Sequence, residues 1–399
     1  MESVVLVRYG EIGLKGKNRP AFENRLVQNL RRALGPEIEA SVRREHGRIV
    51  VDFGGREAPR QAIDRLRSVF GVVSISPAKA APLSLDEALA GARLLVEEKL
   101  QATKGPVRFK VEAKRSNKQF PLTSPELNGR FGGYLLRAFP RLEVDVHAPD
   151  FVLHVEVREK AIYLYTEILP GPGGLPVGSS SEGLLLLSGG IDSPVAGWLA
   201  MKRGIRLRAI HFHSFPFTSD RSKEKVIDLA GVLSRYSFEP IPVYVVNFTP
   251  AQTAIRQHVP PAMTITVMRR MMLRIASRIA AQHGIPALIT GESVGQVASQ
   301  TLESMAAINE VTSMPILRPL VAMDKGEIVE LAQQIGTYDL SVLPYPDCCT
   351  LFVPDRPETR PRIERVRAAE ADMPIDELVD EAVATVDVVE PVLEPSLSL

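Results

Sequence analysis

The stretch Leu184-Leu185-Leu186-Leu187-Ser188-Gly189-Gly190-Ile191-Asp192-Ser193-Pro194 joins an unbroken apolar run to a glycine turn and a proline-led, apolar-periodic segment. A short apolar run bounded by turn residues reads as a buried strand. Proline suits the first turn of a helix, where its missing N–H forfeits no hydrogen bond. Strand, glycine turn and helix start, in that order, gather backbone N–H groups and the positive end of a helix at one point, which suits phosphate. The two glycines are expected to take positive φ, so that the loop curls tightly. A plain strand-to-helix turn uses the same residues, since Asp and Ser are ordinary caps; the strand before and Pro194 after favour phosphate. A Walker A loop is excluded, because no string of glycine, four residues and Gly-Lys-Ser/Thr occurs.

After this stretch the pattern turns regular. Strands are expected at Leu207 to Phe212, Ile241 to Val246 and Ala287 to Thr290, with helices to Arg203, from Arg221 and over Ala262 to His283. Repeated βα units with apolar strands mean a parallel sheet covered on both faces, with ligand sites beyond the strands' C-terminal ends. Before it, Pro170-Gly171-Pro172-Gly173-Gly174 begins a Pro/Gly-rich linker. The front of the chain alternates strand and helix over short spans, as a small ferredoxin-like α+β domain does. A second α+β unit follows, with a period-two strand at Val107 to Ala113, a helix opened by Ser124-Pro125 and a hairpin of Phe151 to Val157 with Ala161 to Glu167. The expected fold class is therefore α/β: a doubly wound parallel-sheet domain at 183–399, preceded by domains at 1–60 and 61–167 and a linker at 168–182. From Asp372 onward the sequence is acidic and reads as a short helix with a loose tail.

The chain has 399 residues, 45% hydrophobic and 24% charged, as in a soluble globular protein. No apolar run approaches the roughly 20 residues of a membrane span, and Met1-Glu2-Ser3 does not begin a signal peptide; a cytoplasmic address is expected. The only two cysteines are neighbours, Cys348 and Cys349, which excludes a disulfide scaffold and a four-cysteine metal site. The net charge of +1 hides an asymmetry. Residues 1–167 carry 28 Lys and Arg against 21 Asp and Glu, so of the chain's 48 and 47 the remainder holds 20 and 26. A basic front and an acidic back suggest a polyanion held by one part and chemistry done by the other. Lys110, Lys114, Arg115, Lys118, Arg130 and Arg137, with Phe120 and Asn128 interleaved, suit an RNA end, with cations on phosphate and stacking on bases.

Four further groups bear on the site. Met268, Met271, Met272, Ile275 and Ile279 form a core stripe at helical spacing; Arg274 and Arg278 read as solvated, whereas Arg269 and Arg270 are candidates for a phosphate or an RNA backbone. His211 and His213 share one side of a strand end, and adenine packing or strand-end hydrogen bonding is a plainer use than metal, so no metal site is expected. Gly291-Glu292-Ser293 leads a turn bearing Gln296 and Gln300, a candidate nucleotide reader. Asp347-Cys348-Cys349-Thr350 lies in a proline-framed loop, where an accessible thiol favours thiol chemistry over a structural role.

At Ser188 to Ser193 the chain resembles the PP-loop ATP pyrophosphatases, whose signature is Ser-Gly-Gly-x-Asp-Ser. The run Leu186 to Lys202, His211-Phe212-His213-Ser214, Met268-Arg269-Arg270, Gly291 to Thr301, Arg318-Pro319-Leu320, Met323-Asp324-Lys325, Ile335-Gly336-Thr337-Tyr338 and Asp347-Cys348-Cys349 resembles the ThiI family of tRNA 4-thiouridine synthetases. The resemblance covers nearly the whole chain and implies a ferredoxin-like domain, a THUMP RNA-binding domain and an adenine-nucleotide-hydrolase-like PP-loop domain. It implies ATP with Mg²⁺, held by Leu186, Leu187, Ser188, Gly189, Gly190, Ser193, Phe212, His213, Arg269, Gly291 and Gln300, with Asp192 near the Mg²⁺ or the pyrophosphate. It also implies adenylation of uracil O4 at tRNA position 8, a persulfide on Cys349 with Cys348 beside it, and a homodimer. Some members carry a rhodanese domain that receives the sulfur. Only about 50 residues follow Cys349, so sulfur is expected directly from a cysteine desulfurase or another persulfide donor, and a side role in thiamine thiazole synthesis is tied to the rhodanese domain. The alternatives are a 2-thiouridylase-type adenylating enzyme and an RNA-binding protein with a vestigial nucleotide site.

Overall fold

The computed structural model describes residues 1–45, 47–101, 103–347 and 356–393. The chain divides into two compact units, Met1–Gly174 and a second beginning at Leu175. The first holds, in chain order, β1 (Glu2–Tyr9), α1 (Arg19–Leu34), β2 (Ser41–Glu45), β3 (Arg48–Asp52), α2 (Arg60–Arg67), β4 (Val72–Ala81), α3 (Leu85–Gln101), β5 (Val107–Arg115), α4 (Ser124–Ala138), β6 (Leu142–Val144), β7 (Phe151–Val157), β8 (Ile162–Tyr165) and β9 (Leu169–Pro170). Local chemistry sets these limits. Pro20 stands in the first turn of α1 and Gly35, at φ +70°, ends it. The backbone N–H of Thr123 donates to Glu126 Oε2 (2.7 Å) in the capping box of α4.

These strands make one sheet in the order β2-β3-β1-β4-β8-β7-β5-β6, with β9 also on β4. The ten-residue β4 pairs with β1 along one edge and with β8 and β9 along the other. Helices α3 and α4 bury Ala88, Val96, Leu127, Phe131 and Leu135 against Phe109, Val111, Leu153 and Val155. Strand side chains alternate between faces, so Lys110, Lys114, His154 and Glu156 project from the face opposite α3 and α4.

The second unit holds β10 (Glu182–Leu186), α5 (Asp192–Lys202), β11 (Arg206–His213), α6 (Asp220–Ser237), β12 (Val243–Asn247), α7 (Thr249–His258), α8 (Thr264–Gln282), β13 (Leu288–Ile289), α9 (Leu302–Asn309), β14 (Ile316–Leu317), α10 (Lys325–Ile335), α11 (Tyr338–Ser341), α12 (Ile363–Ala369), α13 (Ile375–Ala384) and β15 (Asp387–Val389). Its sheet runs β14-β13-β10-β11-β12-β15. The first five strands are parallel. β10 therefore has β11 on one side and β13 on the other, and the loop leaving it sits at the topological switch point where ligands bind in open α/β sheets. Burying Met268, Met271 and Ile275 of α8 among Ile210, Tyr244, Val246 and Ile255 supplies the core beneath one face.

The acidic end differs from its expectation. Ile375–Ala384 is the helix, but the tail after it is a strand that pairs antiparallel with β12. β12 would otherwise be an open edge, and the β-branched pair Val388-Val389 covers it.

Candidate functional site

A cleft at the C-terminal ends of β10 and β11 encloses about 790 Å³ to its open mouth. Leu186, Leu187, Ser188, Asp192, Ser193, Phe212, Arg269, Gly291 and Gln300 line it, and with them Ile210, His211, Met272, Thr290, Glu292 and Asp347. Gly189 and Gly190 belong to the loop without lining the cleft, and His213 turns instead to Thr218, with 3.1 Å between Nδ1 and Oγ1.

The loop is a network of short contacts. Ser193 Oγ accepts from the Ser188 N–H (2.9 Å), lies 3.0 Å from Ser188 Oγ and donates to Ser188 O (3.2 Å). The Gly190 N–H donates to Ser188 Oγ (3.3 Å). The Gly189 N–H donates to both oxygens of Asp347, at 3.1 and 3.0 Å across 158 residues of sequence. Neither glycine has positive φ, so the expectation of a left-handed curl is corrected. A Cβ at Gly189 would stand 2.5 Å from Lys225 Cε and 3.2 Å from Asp347 Oδ1, both side-chain atoms that can shift aside, whereas the neighbours of Gly291 are backbone. Gly291 is crowded more severely, since its Cβ would meet Ser193 N at 2.7 Å and the Asp192 carbonyl carbon at 2.8 Å. The end of β13 thus packs directly on the start of α5.

Charge around the loop is arranged in pairs. Lys325 Nζ lies 2.6 Å from Asp192 Oδ1, and α10, which Lys325 begins, packs on α5. Buried Lys225 donates to the carbonyl of Leu343 (3.2 Å); burial pulls its pKa down, against the attraction of Asp347. Glu292, 3% exposed, accepts from Arg318 Nε (2.7 Å) and from Thr290 Oγ1 (2.9 Å) and lies 3.6 Å from Arg269. Burial alone would raise its pKa, but Arg269 and Arg318 outweigh that and hold it below the usual carboxylate range. The carboxylate fixes Arg269 in the cleft wall.

His211 is buried, with Nδ1 3.2 Å from Leu187 O. A carbonyl only accepts, so Nδ1 carries the proton and Nε2 presents a bare lone pair. That nitrogen and Gln300 Oε1 are buried with no hydrogen-bond partner among the described residues. Burial drives the His211 pKa down to about 4, which keeps the ring neutral near pH 7.

Three family models match this chain: "ThiI ferredoxin-like domain" over residues 4–76, "THUMP domain" over 83–167 and "Thiamine biosynthesis protein (ThiI)" over 178–375. A "Probable tRNA sulfurtransferase" of Moorella thermoacetica is 55% identical over 388 residues, 97% of each chain. The chain belongs to the ThiI family. A relative of the same description in Halothermothrix orenii is 52% identical, covering 98% of this chain and 99% of that one. Among solved structures, a 4-thiouridine synthetase–RNA complex with bound ATP superposes with a TM-score of 0.90 at 40% identity, over 98% of this chain and all of the other. The PH1313 protein of Pyrococcus horikoshii gives 0.67 at 29% identity, over 84% and 99%.

In this ThiI-family chain the six cations of the THUMP-matching segment do not form one patch. Lys110 and Lys114 lie on the sheet face opposite α4, whereas Arg130 and Arg137 lie on the exposed side of α4. Lys110 pairs with Glu112 (2.7 Å), and Arg115 donates to the carbonyl of Phe120 (2.9 Å); Lys118 is exposed. Phe120 is 7% exposed and belongs to the core, so it is no stacking surface, and Asn128 accepts from the Ala113 N–H (2.7 Å). Arg270 is fully buried, held by Glu370 (2.6 Å) and Glu310 (2.7 Å), and is structural; of the arginine pair only Arg269 reaches the cleft. Cys348 and Cys349 lie outside the described residues. Lys225 and the pairing of Asp347 with Gly189 gave no local sequence signal, because each depends on contacts distant in sequence; Arg318 stood in a quoted motif, but its contact with Glu292 was not legible there. Lys325 stood in a motif whose role only the 2.6 Å contact reveals.

Proposed function

We propose that this chain is an ATP-dependent tRNA sulfurtransferase that makes 4-thiouridine at tRNA position 8. One observation carries the reading: the backbone of the phosphate loop, at Gly189, is hydrogen-bonded to Asp347, the residue immediately before Cys348-Cys349. The residue that precedes the thiol pair in sequence is thus tied to the phosphate loop, which supports a coupling of activation to sulfur transfer.

The residues fit ATP. The N-terminus of α5 suits its phosphates, with Arg269, Lys225 and Lys325 as counter-charges. The bare acceptors His211 Nε2 and Gln300 Oε1 suit N–H or O–H donors such as an adenine amino group or ribose hydroxyls. Mg²⁺, commonly held by one or two carboxylates together with phosphates, has Asp192 at the mouth of the loop. ATP supplies an AMP group, which turns the uracil oxygen into a leaving group.

In the proposed sequence, uracil O4 takes the AMP group with loss of pyrophosphate and of the N3 proton. A terminal persulfide sulfur on Cys349 attacks C4, and AMP departs. Cys348 or an external thiol then attacks the Cys349 sulfur, breaking the S–S bond so that the transferred sulfur stays on C4 and a disulfide is left for a reductant. Sulfur comes from a cysteine desulfurase or another persulfide donor, and the working form is a homodimer. The test incubates the chain with unmodified tRNA, ATP, Mg²⁺ and a persulfide source, followed by mass analysis of the nucleosides. Cys349→Ala is expected to abolish 4-thiouridine while tRNA-dependent pyrophosphate release persists; full 4-thiouridine yield without Cys349 overturns the sulfur step.

A further inference from the structure

The loop between β10 and α5 directs its backbone amides to the protein itself. The N–H groups of Ser188 and Gly190 donate to neutral hydroxyls inside the loop, Ser193 Oγ (2.9 Å) and Ser188 Oγ (3.3 Å). Gly189 differs, because its N–H donates to a carboxylate, with the two oxygens of Asp347 at 3.1 and 3.0 Å. Amides just ahead of a helix N-terminus are where an anion is held best. The anion seated there belongs to the chain.

A cation stands at the same point. A Cβ placed on Gly189 would lie 2.9 Å from Lys225 Nζ and 3.2 Å from Asp347 Oδ1, so ammonium, carboxylate and amide converge on one small space. Burial opposes the charge of Lys225 and Asp347 supports it. A backbone amide beside a buried lysine is also what holds a phosphate oxygen, and Asp347 lines the nucleotide cleft. A phosphate brought to this amide would meet a like charge at close range, where repulsion is strong. The segment leading to Asp347 has attachments of its own. Ser341 Oγ donates to Gly190 O (3.3 Å), Lys225 Nζ to Leu343 O (3.2 Å) and Arg221 to Tyr345 OH (3.3 Å). Residues 341–345 are therefore held against the loop and α6 whether or not the Asp347 carboxylate stays on Gly189.

We propose that Asp347 is a built-in competitor of phosphate: a phosphate of ATP takes the Gly189 N–H and Lys225 when Asp347 lets go, and Asp347 retakes them as pyrophosphate departs. The inference rests on the ATP reading above. A rival anion inside the site weakens the hold on ATP and on pyrophosphate alike, because each binds only the fraction of molecules whose seat is open. Asp347 thus lowers affinity for the nucleotide and eases release of the product that would otherwise block the loop.

The test uses two variants of the full chain, titrated with ATP, pyrophosphate and adenosine, each with and without Mg²⁺. Asp347→Asn keeps the shape of the side chain and removes its charge; Asp347→Ala removes the rival acceptor. Both are expected to bind ATP and pyrophosphate more tightly, about tenfold for Asp347→Ala and about threefold for Asp347→Asn, while adenosine, which has no phosphate, binds as to the wild type. Unchanged or weaker binding of ATP and pyrophosphate by Asp347→Asn overturns the proposal and makes the Gly189 contact a structural tie. Weakening confined to the titrations with Mg²⁺ makes Asp347 a metal ligand and overturns it too. A wild-type chain that binds neither ATP nor pyrophosphate removes the reading on which it stands.

Discussion

Gly291→Ala is the sharpest test of how the nucleotide loop is held. The added methyl group would sit 2.7 Å from Ser193 N and 2.8 Å from the Asp192 carbonyl carbon, both backbone atoms at the start of α5. Ordinary Cβ contacts begin near 3.4 Å, so β13 and α5 must part by about 0.7 Å, the difference between 3.4 and 2.7. Backbone cannot swing away as a side-chain tip does, and overpacking of this kind costs roughly 1 to 3 kcal/mol. At about 2 to 4 °C per kcal/mol for a domain of this size, the carboxyl unit should melt roughly 2 to 12 °C lower. If the same strain is relieved by displacing the loop, ATP binding weakens by about five- to 150-fold, the equivalent in affinity. Gly190→Ala is the internal control, because its nearest neighbour is Ser188 Oγ at 3.5 Å and its φ is negative; it should leave the ligand-free melting temperature unchanged. Thermal unfolding without nucleotide and ATP titration of both variants decide the matter. A Gly291→Ala protein that melts with the wild type, or a Gly190→Ala protein that melts as low as Gly291→Ala, refutes the reasoning.

Asp192→Asn should leave tRNA affinity within twofold but lower 4-thiouridine formation at least 100-fold, measured by single-turnover nucleoside analysis, because it removes the carboxylate paired with Lys325. Glu370→Ala strips Arg270 and Arg274 of their shared partner; breaking a buried pair costs about 3 to 5 kcal/mol, and urea unfolding should show it without any direct effect on the cleft. His211 titrates near 4 when folded against about 6.5 when unfolded. Its contribution is therefore complete above pH 6.5 and is lost as pH falls towards 4, by about 3 kcal/mol at 1.36 kcal/mol per unit. Urea midpoints from pH 7 to 4 should flatten in a His211→Asn variant.

The loop and helix at Leu184 to Pro194 were legible because an apolar run, a glycine pair and a proline act on neighbours alone. The course of the sheet around them followed from alternating βα units. Other features needed the third dimension. Period-two spacing showed that Lys110 and Lys114 share a face, but not that α4 would cover the opposite one and so part them from Arg130 and Arg137. Phe120 stood among cations in sequence and is buried, because burying an aromatic ring outweighs the polarity of its neighbours. Asp387 to Val389 looked like tail since an edge strand gains its partner only once β12 exists. The crowding at Gly189 comes from the tip of a lysine 36 residues away, which no local pattern contains.

In the amino-terminal unit, β4 belongs to the pairing network of both flanks, joining β1 to β8. The β2–β3 and β7–β8 turns therefore hang from one hydrogen-bonded lattice, with β1 and β4 between β3 and β8. The separation of those turns is set by a count of strands, much as notches on a gauge are set by the metal they are cut in. The same construction makes the first 174 residues indivisible: severed after β4, β8 would be left with a bare edge, and neither fragment would keep the gauge.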